Sequence, residues 1–574
     1  MIKDVYEPLS RYRDEFEQKF SRLPAEKFEE LSRASGVDVE ANRRLVAEIQ
    51  KLELKAEESR DRRSVFGCLF VLLMSAGIIA FIANHNKMGD PFELILFGFG
   101  SIIGSLLLLI PFQKATGLCE NLKKKAAEKR QIAWQQMEPL NALYTWDIPV
   151  KLIQATVPWL EFDPYFTKER LKALQKQFGW DNKFNRNKSI LFAQSGVING
   201  NPFVFVEYRH MEWKDHLYTG SKEISWKEKE RDFDGKMRTV TRHETLIGTA
   251  RKPEPVYKKK KLLIYGNDAA PNLIFSREPS KLSKGDDIPF AKLRTKHEIR
   301  KLQEFSRNLE DESQFTLMRN HEFEALFHAV DRNNEVEFRL LFTALTQIQM
   351  LNLLKDKSIG YGDDFTFKKK KKINLLTSKH LDKNPIDTDP KYFHDWDYDR
   401  AKENFQRFNV TYFRTIYFSL APLLAIPLYQ QTRTHEEIWK EDDVRRGRKE
   451  PCFWVHESLA NYYGYKQFKA FDCVTECILK TSLLEQRKGE SIVEVTAYGY
   501  KGVHRVEYDE VRGGDGKWHK VPVEWIEYYP VENSRIMYLT EREHPSDAFT
   551  RNASLSDQSV FRRGIHSYLG EISY

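Results

Sequence analysis

The stretch "VFGCLFVLLMSAGIIAFIANHNKMGDPFELILFGFGSIIGSLLLLIPF" occupies residues 65–112. It consists of two apolar runs, Val65–Ala83 and Leu94–Phe112, around the polar or turn-forming residues Asn84–Glu93. The first run holds no ionisable group except Cys68, and the second holds none. Each is 19 residues long. A helix needs about 20 residues to cross a ~30 Å hydrocarbon core. A core helix of a soluble protein seldom stays apolar on every face for that distance. By the hydropathy criterion both runs read as membrane spans, with Val65, Ala83, Leu94 and Phe112 at their ends.

The flanks set the expected orientation. Arg60, Arg62 and Arg63 precede the first run, and Lys114, Lys123, Lys124 and Lys125 follow the second. Between the runs stands only Lys87, opposed by Asp90 and Glu93. The positive-inside rule then keeps both ends of the chain in the cytoplasm, around a small external tip. Five cysteines in 574 residues are no disulfide framework and agree with a reducing compartment. The opening "MIKDVYEPLS" is charged from its third residue and does not read as a secretory signal. Gly100 and Gly104 form a small-xxx-small pair, with Gly98 nearby, that would let the spans approach. The same glycines leave a homo-oligomer open.

On either side of the hairpin the pattern is helical. Asp38 is an expected N-cap, after which Leu45, Ile49, Leu52 and Ala56 follow a short 4-3-4 seam. Leu118, Leu122 and Ala126 line one face of a Lys/Glu-rich helix that Pro139 is expected to end. Residues 4–33 read as amphipathic helix interrupted near Pro24. The expected order is a cytoplasmic helical arm (1–63), a transmembrane hairpin (64–113) and a second arm (114–145), the arms pairing as a stalk.

From about Trp146 strands are expected. "SILFAQSGVINGNPFVFVEYRHMEW" reads as two strands around Asn199-Gly200-Asn201. "HETLIGTA", "KKLLIYG" and "NLIFSRE" read as further strands, interrupted by the charged "SKEISWKEKERDFDGKMRTV" as a hairpin tip or mobile insertion. "FEALFHAV" then leads through Asn333-Asn334 to a helix expected to bury Leu340, Leu341, Leu345, Ile348, Leu351 and Leu354. "DFTFKKKKKINLLTS" reads as one strand. The fold class is thus α+β: a two-helix transmembrane hairpin, helical arms and an antiparallel α+β cytoplasmic body.

Phe323, Phe327 and Val330, followed by Glu337, Arg339, Leu341 and Thr343, spell "F-x-x-x-F-x-x-V … E-x-R-x-L-x-T". With the hairpin, this resembles uncharacterised bacterial membrane proteins that share the DUF3137 domain of unknown function, over roughly residues 60–400. Nearly the whole chain is similar to larger mycoplasma-type proteins of an uncharacterised (MAG1210-like) family. The resemblance implies a membrane-anchored cytoplasmic domain. It implies no activity and no catalytic residue.

The α+β domain is expected over 146–390, a mainly helical region over 391–490, a β-meander over 491–540 and a partly ordered tail over 541–574. Thr415–Tyr429 is apolar but holds 15 residues and two prolines, Pro422 and Pro427, so core is preferred to a third span or interfacial segment. The meander rests on alternation in Ile492–Tyr529 around Gly513-Gly514-Asp515-Gly516.

Chemistry is sparse. No Walker loop, dinucleotide fingerprint or nucleophile elbow occurs. In "HEFEALFH", His321 and His328 are seven apart and cannot share a helix face as a zincin pair. Cys452 and His456 are four apart, as are Cys473 and Cys477, so helices would give each pair a common face and a Cys₃His zinc site. Buried small cysteines are the preferred alternative. No catalytic residue, metal or cofactor is therefore expected. Lys258, Lys259, Lys260 and Lys261, and Lys368, Lys369, Lys370, Lys371 and Lys372, read as solvated strand edges or as contacts to anionic headgroups. Nucleic acid is a poor fit, since no interleaved aromatic–basic motif appears. The expected function is a membrane-anchored scaffold or interaction protein, with the membrane and other proteins as partners. The alternatives are an anionic-lipid sensor and an unrecognised membrane-associated enzyme.

Overall fold

The computed structural model describes residues 7–85, 91–163, 165–231, 237–280, 282, 291–307, 315–431, 450–487, 490–542, 559–563 and 566–572. The chain is α+β, with antiparallel sheets and two long apolar helices long enough to cross a membrane. It divides into two units. One is Leu23–Thr145 with Pro390–Phe408, and the other is Met1–Arg22, Trp146–Asp389 and Asn409–Tyr574.

The helices in chain order begin with α1 (Pro8–Arg11), α2 (Glu17–Ser35), α3 (Val39–His85) and α4 (Pro91–Asn141). Next come α5 (Ile148–Thr156), α6 (Lys168–Phe178), α7 (Ala291–Arg307), α8 (His321–Phe327), α9 (Glu335–Leu341) and α10 (Ala344–Lys355). The last three are α11 (Lys379–Lys383), α12 (Tyr398–Leu424) and α13 (Phe453–Tyr463). Pro24 does not interrupt α2; it lies inside the helix, and the irregular turn is a π-helical one at Tyr12–Phe16. Pro139 does not end α4 either. A proline in the last turn forfeits one hydrogen bond, and the helix continues to Asn141.

In the helical unit, α3 and α4 lie antiparallel. Asp38 caps α3, its Oδ1 accepting from the Ala41 N–H at 3.0 Å. The buried positions of the outer halves repeat every seven residues: Asn42, Ile49 and Ala56 on α3, and Cys119, Ala126, Ala133 and Leu140 on α4. Leu118, expected in this seam, is exposed, because the buried register is one residue on, at Cys119. Glu48–Lys129 (2.5 Å) and Glu53–Arg130 cross between the helices. Segment 390–408 clasps the same end. The Asn42 amide donates to the Trp396 carbonyl and its oxygen accepts from the Tyr398 N–H, each at 3.0 Å. Arg43 forks onto Asp399 at 2.9 and 3.0 Å. This clasp is roughly 35 Å along the helix from Val65, at 1.5 Å per residue.

The other unit carries two sheets. The strands are β1 (Leu160–Phe162), β2 (Lys188–Ile198), β3 (Asn201–Arg231), β4 (Met237–Gly266), β5 (Ile274–Arg277), β6 (Phe365–Lys370), β7 (Ile373–Ser378), β8 (Ile478–Arg487), β9 (Glu490–Arg512), β10 (Trp518–Arg542), β11 (Ser559–Arg563) and β12 (His566–Ile572). The seven-stranded sheet has the order β1-β2-β3-β4-β7-β6-β5, and the five-stranded one β11-β12-β10-β9-β8. Asn199 (φ 48°) and Gly200 (φ 83°) make the two-residue turn between β2 and β3. "HETLIGTA" and "KKLLIYG" are not separate strands. Both lie on β4, and the charged segment forms the distal part of one β3–β4 hairpin, whose residues 232–236 lie outside the described ones.

The β9–β10 hairpin lies against the β3–β4 hairpin. A Cβ on Gly220 would come 1.9 Å from the Pro522 carbonyl oxygen, so only glycine allows that approach. Within 541–574 two strands are described; β12 pairs with β10, and residues 543–558 lie outside the described ones. Three expectations change in this unit. "FDCVTEC" is loop, not helix, and leads into β8, so 391–490 is only partly helical. The lysine-rich "strand" is the β6–β7 hairpin, turning at Lys371 (φ 58°) and Lys372. The helix after Asn334 is two helices, because Thr343 caps α10 with its hydroxyl. The break leaves Leu340 (53%) and Ile348 (55%) exposed.

The core is aromatic. α13 sits on β2 and β8 with Trp454 fully buried beside Phe166 and Trp180. Thr415–Tyr429 is core: Ile416, Tyr417, Leu420 and Leu424 are buried, and Phe20 stacks on Phe413 at 4.1 Å.

Candidate functional site

The apolar halves of α3 and α4 have an inverted side-chain arrangement. Their contact face is small: Gly77 abuts Gly98 and Ile102, where a Cβ would meet backbone at 3.1 Å and side chain at 2.9 Å. Ser101 and Ser105 are buried. Large side chains point away from the partner helix, among them Leu72 (63% exposed), Ile79 (64%) and Leu107 (62%). Of the residues in the most apolar windows only 11% and 17% are buried. A core helix would bury most of them. Each such side chain loses roughly 1.5–3 kcal/mol when it faces water instead of an apolar phase. Val65 is exposed, while Ala83, Leu94 and Phe112 are half-buried at the ends of the runs. Gly104 packs near Leu73, whereas Gly100 meets nothing within 4 Å.

The two lysine runs do not form uniform cationic faces. Lys258 pairs with Glu212. Lys261 is buried and donates to the carbonyls of Asp382 (3.2 Å) and Asn384 (2.5 Å). Lys369 is buried, donating to the Ala269 carbonyl at 3.1 Å, and burial pushes its ammonium down to about 7. Lys368 and Lys372 pair with Glu278 (3.3 Å) and Asp268 (2.9 Å). Lys259, Lys260, Lys370 and Lys371 remain exposed. Headgroup contact therefore has no geometry at Lys261 or Lys369.

The cysteine quartet separates into two sites. Cys452 caps α13 and His456 is buried within it, while Cys473 and Cys477 lie on the loop before β8 with sulfurs 3.6 Å apart. Among the described residues no group of three or more His, Cys, Asp or Glu converges as a metal site. Both ring nitrogens of His456 lack a hydrogen-bond partner, and burial lowers its pKa to about 4.

The residues of the F-x-x-x-F-x-x-V … E-x-R-x-L-x-T element build the fold. Phe323 and Phe327 stack at 5.0 Å in the core. Glu337 accepts from the backbone and side-chain amides of Asn272, both at 2.9 Å. The intervening Asp331 and Asn333 accept from the Ser276 and Ile274 N–H groups, closing the free edge of β5. At the centre Arg332, fully buried, forks onto Glu324 with two 2.9 Å bonds and reaches Glu335 at 2.7 Å. Sequence reasoning missed this cluster because the partners sit eight residues apart across a turn.

Sequence reasoning also missed Asp364, His380 and Ser419. His380 Nδ1 is 2.7 Å from Asp364 Oδ2 and Nε2 is 3.0 Å from Ser419 Oγ, an order that resembles a nucleophile, base and orienting acid. Ser419 is buried inside α12 and donates to the Thr415 carbonyl at 2.8 Å. The trio ties the β6–β7 hairpin to that helix. Glu457 and Lys480, 3.1 Å apart, similarly bind α13 to β8, and burial raises Glu457 to about 7. Comparison with family models, curated proteins and solved structures finds no match to this chain.

Proposed function

We propose that the chain is a membrane-anchored scaffold, with α3 and α4 as a two-helix transmembrane hairpin and both ends on the cytoplasmic side. The observation that carries this reading is the belt of large apolar side chains facing away from the helix pair. Its ~20-residue height suits a bilayer core. The arginines before Val65 and lysines after Phe112 favour the cytoplasm for the arms and body. The resemblance to DUF3137-type proteins carries the same expectation.

What the body does with its charges supports the scaffold reading. Its buried ionic clusters at Arg332, Arg277 and Glu457 are closed by partners within the fold, as structural ties are. The Asp364–His380–Ser419 trio, with Ser419 buried inside α12, gives the enzyme alternative little support. The lipid-sensing alternative keeps only the exposed lysines of the two runs. Alkaline carbonate washing of membranes tests the anchor. The chain is expected to stay in the pellet, and its release into the supernatant would reject the hairpin.

A further inference from the structure

Cys473 and Cys477 are packed against each other over a glycine. Their sulfurs are 3.6 Å apart, near van der Waals contact, and a disulfide would need about 2 Å. A Cβ on Gly499 would lie 2.5 and 2.9 Å from the two sulfurs, so the thiols occupy the space that glycine leaves. The loop is held at its middle residue. Thr475 Oγ1 accepts from the Tyr500 N–H at 3.0 Å and lies 3.2 Å from the Tyr257 hydroxyl.

Two cations flank the pair. Lys469 Nζ donates to the Cys473 carbonyl at 3.0 Å, and Arg209 to that of Cys477 at 3.3 Å. Burial, and then the neighbouring sulfur, push the Cys477 thiol up to about 12, so Cys477 keeps its proton. Both are buried, yet Gly499, Tyr500 and Tyr257 also line a cleft of about 650 Å³ with Met211 and Val531. Gly499 thus borders both the cleft and the two sulfurs.

We propose that Cys473 and Cys477 form a paired-thiol modification site that hydroperoxides oxidise to an intramolecular disulfide. The Cys473 thiolate attacks the peroxide; the S–O bond forms as the O–O bond breaks. Sulfur is oxidised to the sulfenic acid, and the peroxide leaves as alcohol or water after taking up one proton. Cys477 Sγ then attacks Cys473 Sγ. The S–S bond forms, the S–O bond breaks, and hydroxide departs as water with the Cys477 proton. Cys473 is the attacking thiol and Cys477 the resolving one. This inference does not rest on the membrane reading.

The test exposes the full chain in detergent to hydrogen peroxide, blocks the remaining thiols and maps cysteine states by peptide mass. The wild type is expected to join Cys473 to Cys477 before Cys119 or Cys452 reacts. Cys477→Ser is expected to stop at a Cys473 sulfenic acid that dimedone traps, and Cys473→Ser to leave Cys477 unreacted. Gly499→Ala should abolish the pairing; if it fails to fold, the serine variants carry the test. Persistence of both thiols while exposed Cys68 oxidises would overturn the proposal. So would equal trapping at Cys477 in the Cys473→Ser chain.

Discussion

The paired helices and the sheet unit place large and small side chains in opposite ways. Between α3 and α4 the contact is glycine and serine, and the leucines and isoleucines point outward. In the sheet unit Trp454, Phe203 and Phe275 are fully buried, and the outer strand positions are charged. One chain therefore follows two packing rules. The difference is the one the proposed hairpin requires, with an apolar solvent around the helix pair and water around the sheets.

Substituting a charge in the belt should give the largest effect. Leu72→Arg should cost roughly 2.5–3.5 kcal/mol of insertion at a span centre. The expected readout is loss of the chain from the membrane fraction. A helix pair standing in water would instead tolerate the arginine and become more soluble.

Breaking a buried tie in the sheet unit should be comparable in energy but opposite in location. Arg332→Met leaves the buried Glu324 without its cation, while Glu335 keeps Arg339, and should cost about 3–5 kcal/mol. Thermal unfolding and proteolysis within 315–355 should report it, while membrane association stays unchanged. A stability equal to wild type would mean that the cluster is not closed as described.

His456 gives a pH window. The unfolded chain takes up its proton below about pH 6.5. The folded chain does so only near 4, because burial disfavours the charged ring. Stability should therefore fall as pH drops from 6.5 towards 4, by about 1.4 kcal/mol per unit at most. His456→Leu should flatten that slope in denaturation midpoints measured across the window. An unchanged slope would assign it to other groups.

The smallest effect separates the lysines. Lys259→Ala with Lys260→Ala should change stability by less than about 0.5 kcal/mol. Lys369→Ala, which strips a buried donor from the Ala269 carbonyl, should cost about 1–3 kcal/mol. Equal effects in a denaturation series would erase the distinction between exposed and buried members of the runs.

The features legible in the sequence were those governed by local rules. The apolar runs, the Asp38 cap and the Asn199-Gly200 turn each need only neighbouring residues, and each stands where it was expected. The rest failed for identifiable reasons. Lys371 takes a turn conformation that asparagine or glycine usually signals, so five lysines concealed a hairpin. Four-residue spacing suggested a helix at Cys473–Cys477, but the pairing of β8 with β9 took the segment out to Ile478 as loop. The ties of Glu457 and His380 join residues distant in sequence, and no local pattern announces them.

The measurement that tests the central claim most directly is site-directed labelling between the spans. A cysteine replacing Lys87 is exposed to a membrane-impermeant maleimide in intact cells or spheroplasts, with the unsubstituted chain as control. The account predicts labelling at position 87 in intact cells. Protection of position 87 in intact cells, with labelling only after the membrane is opened, would contradict it.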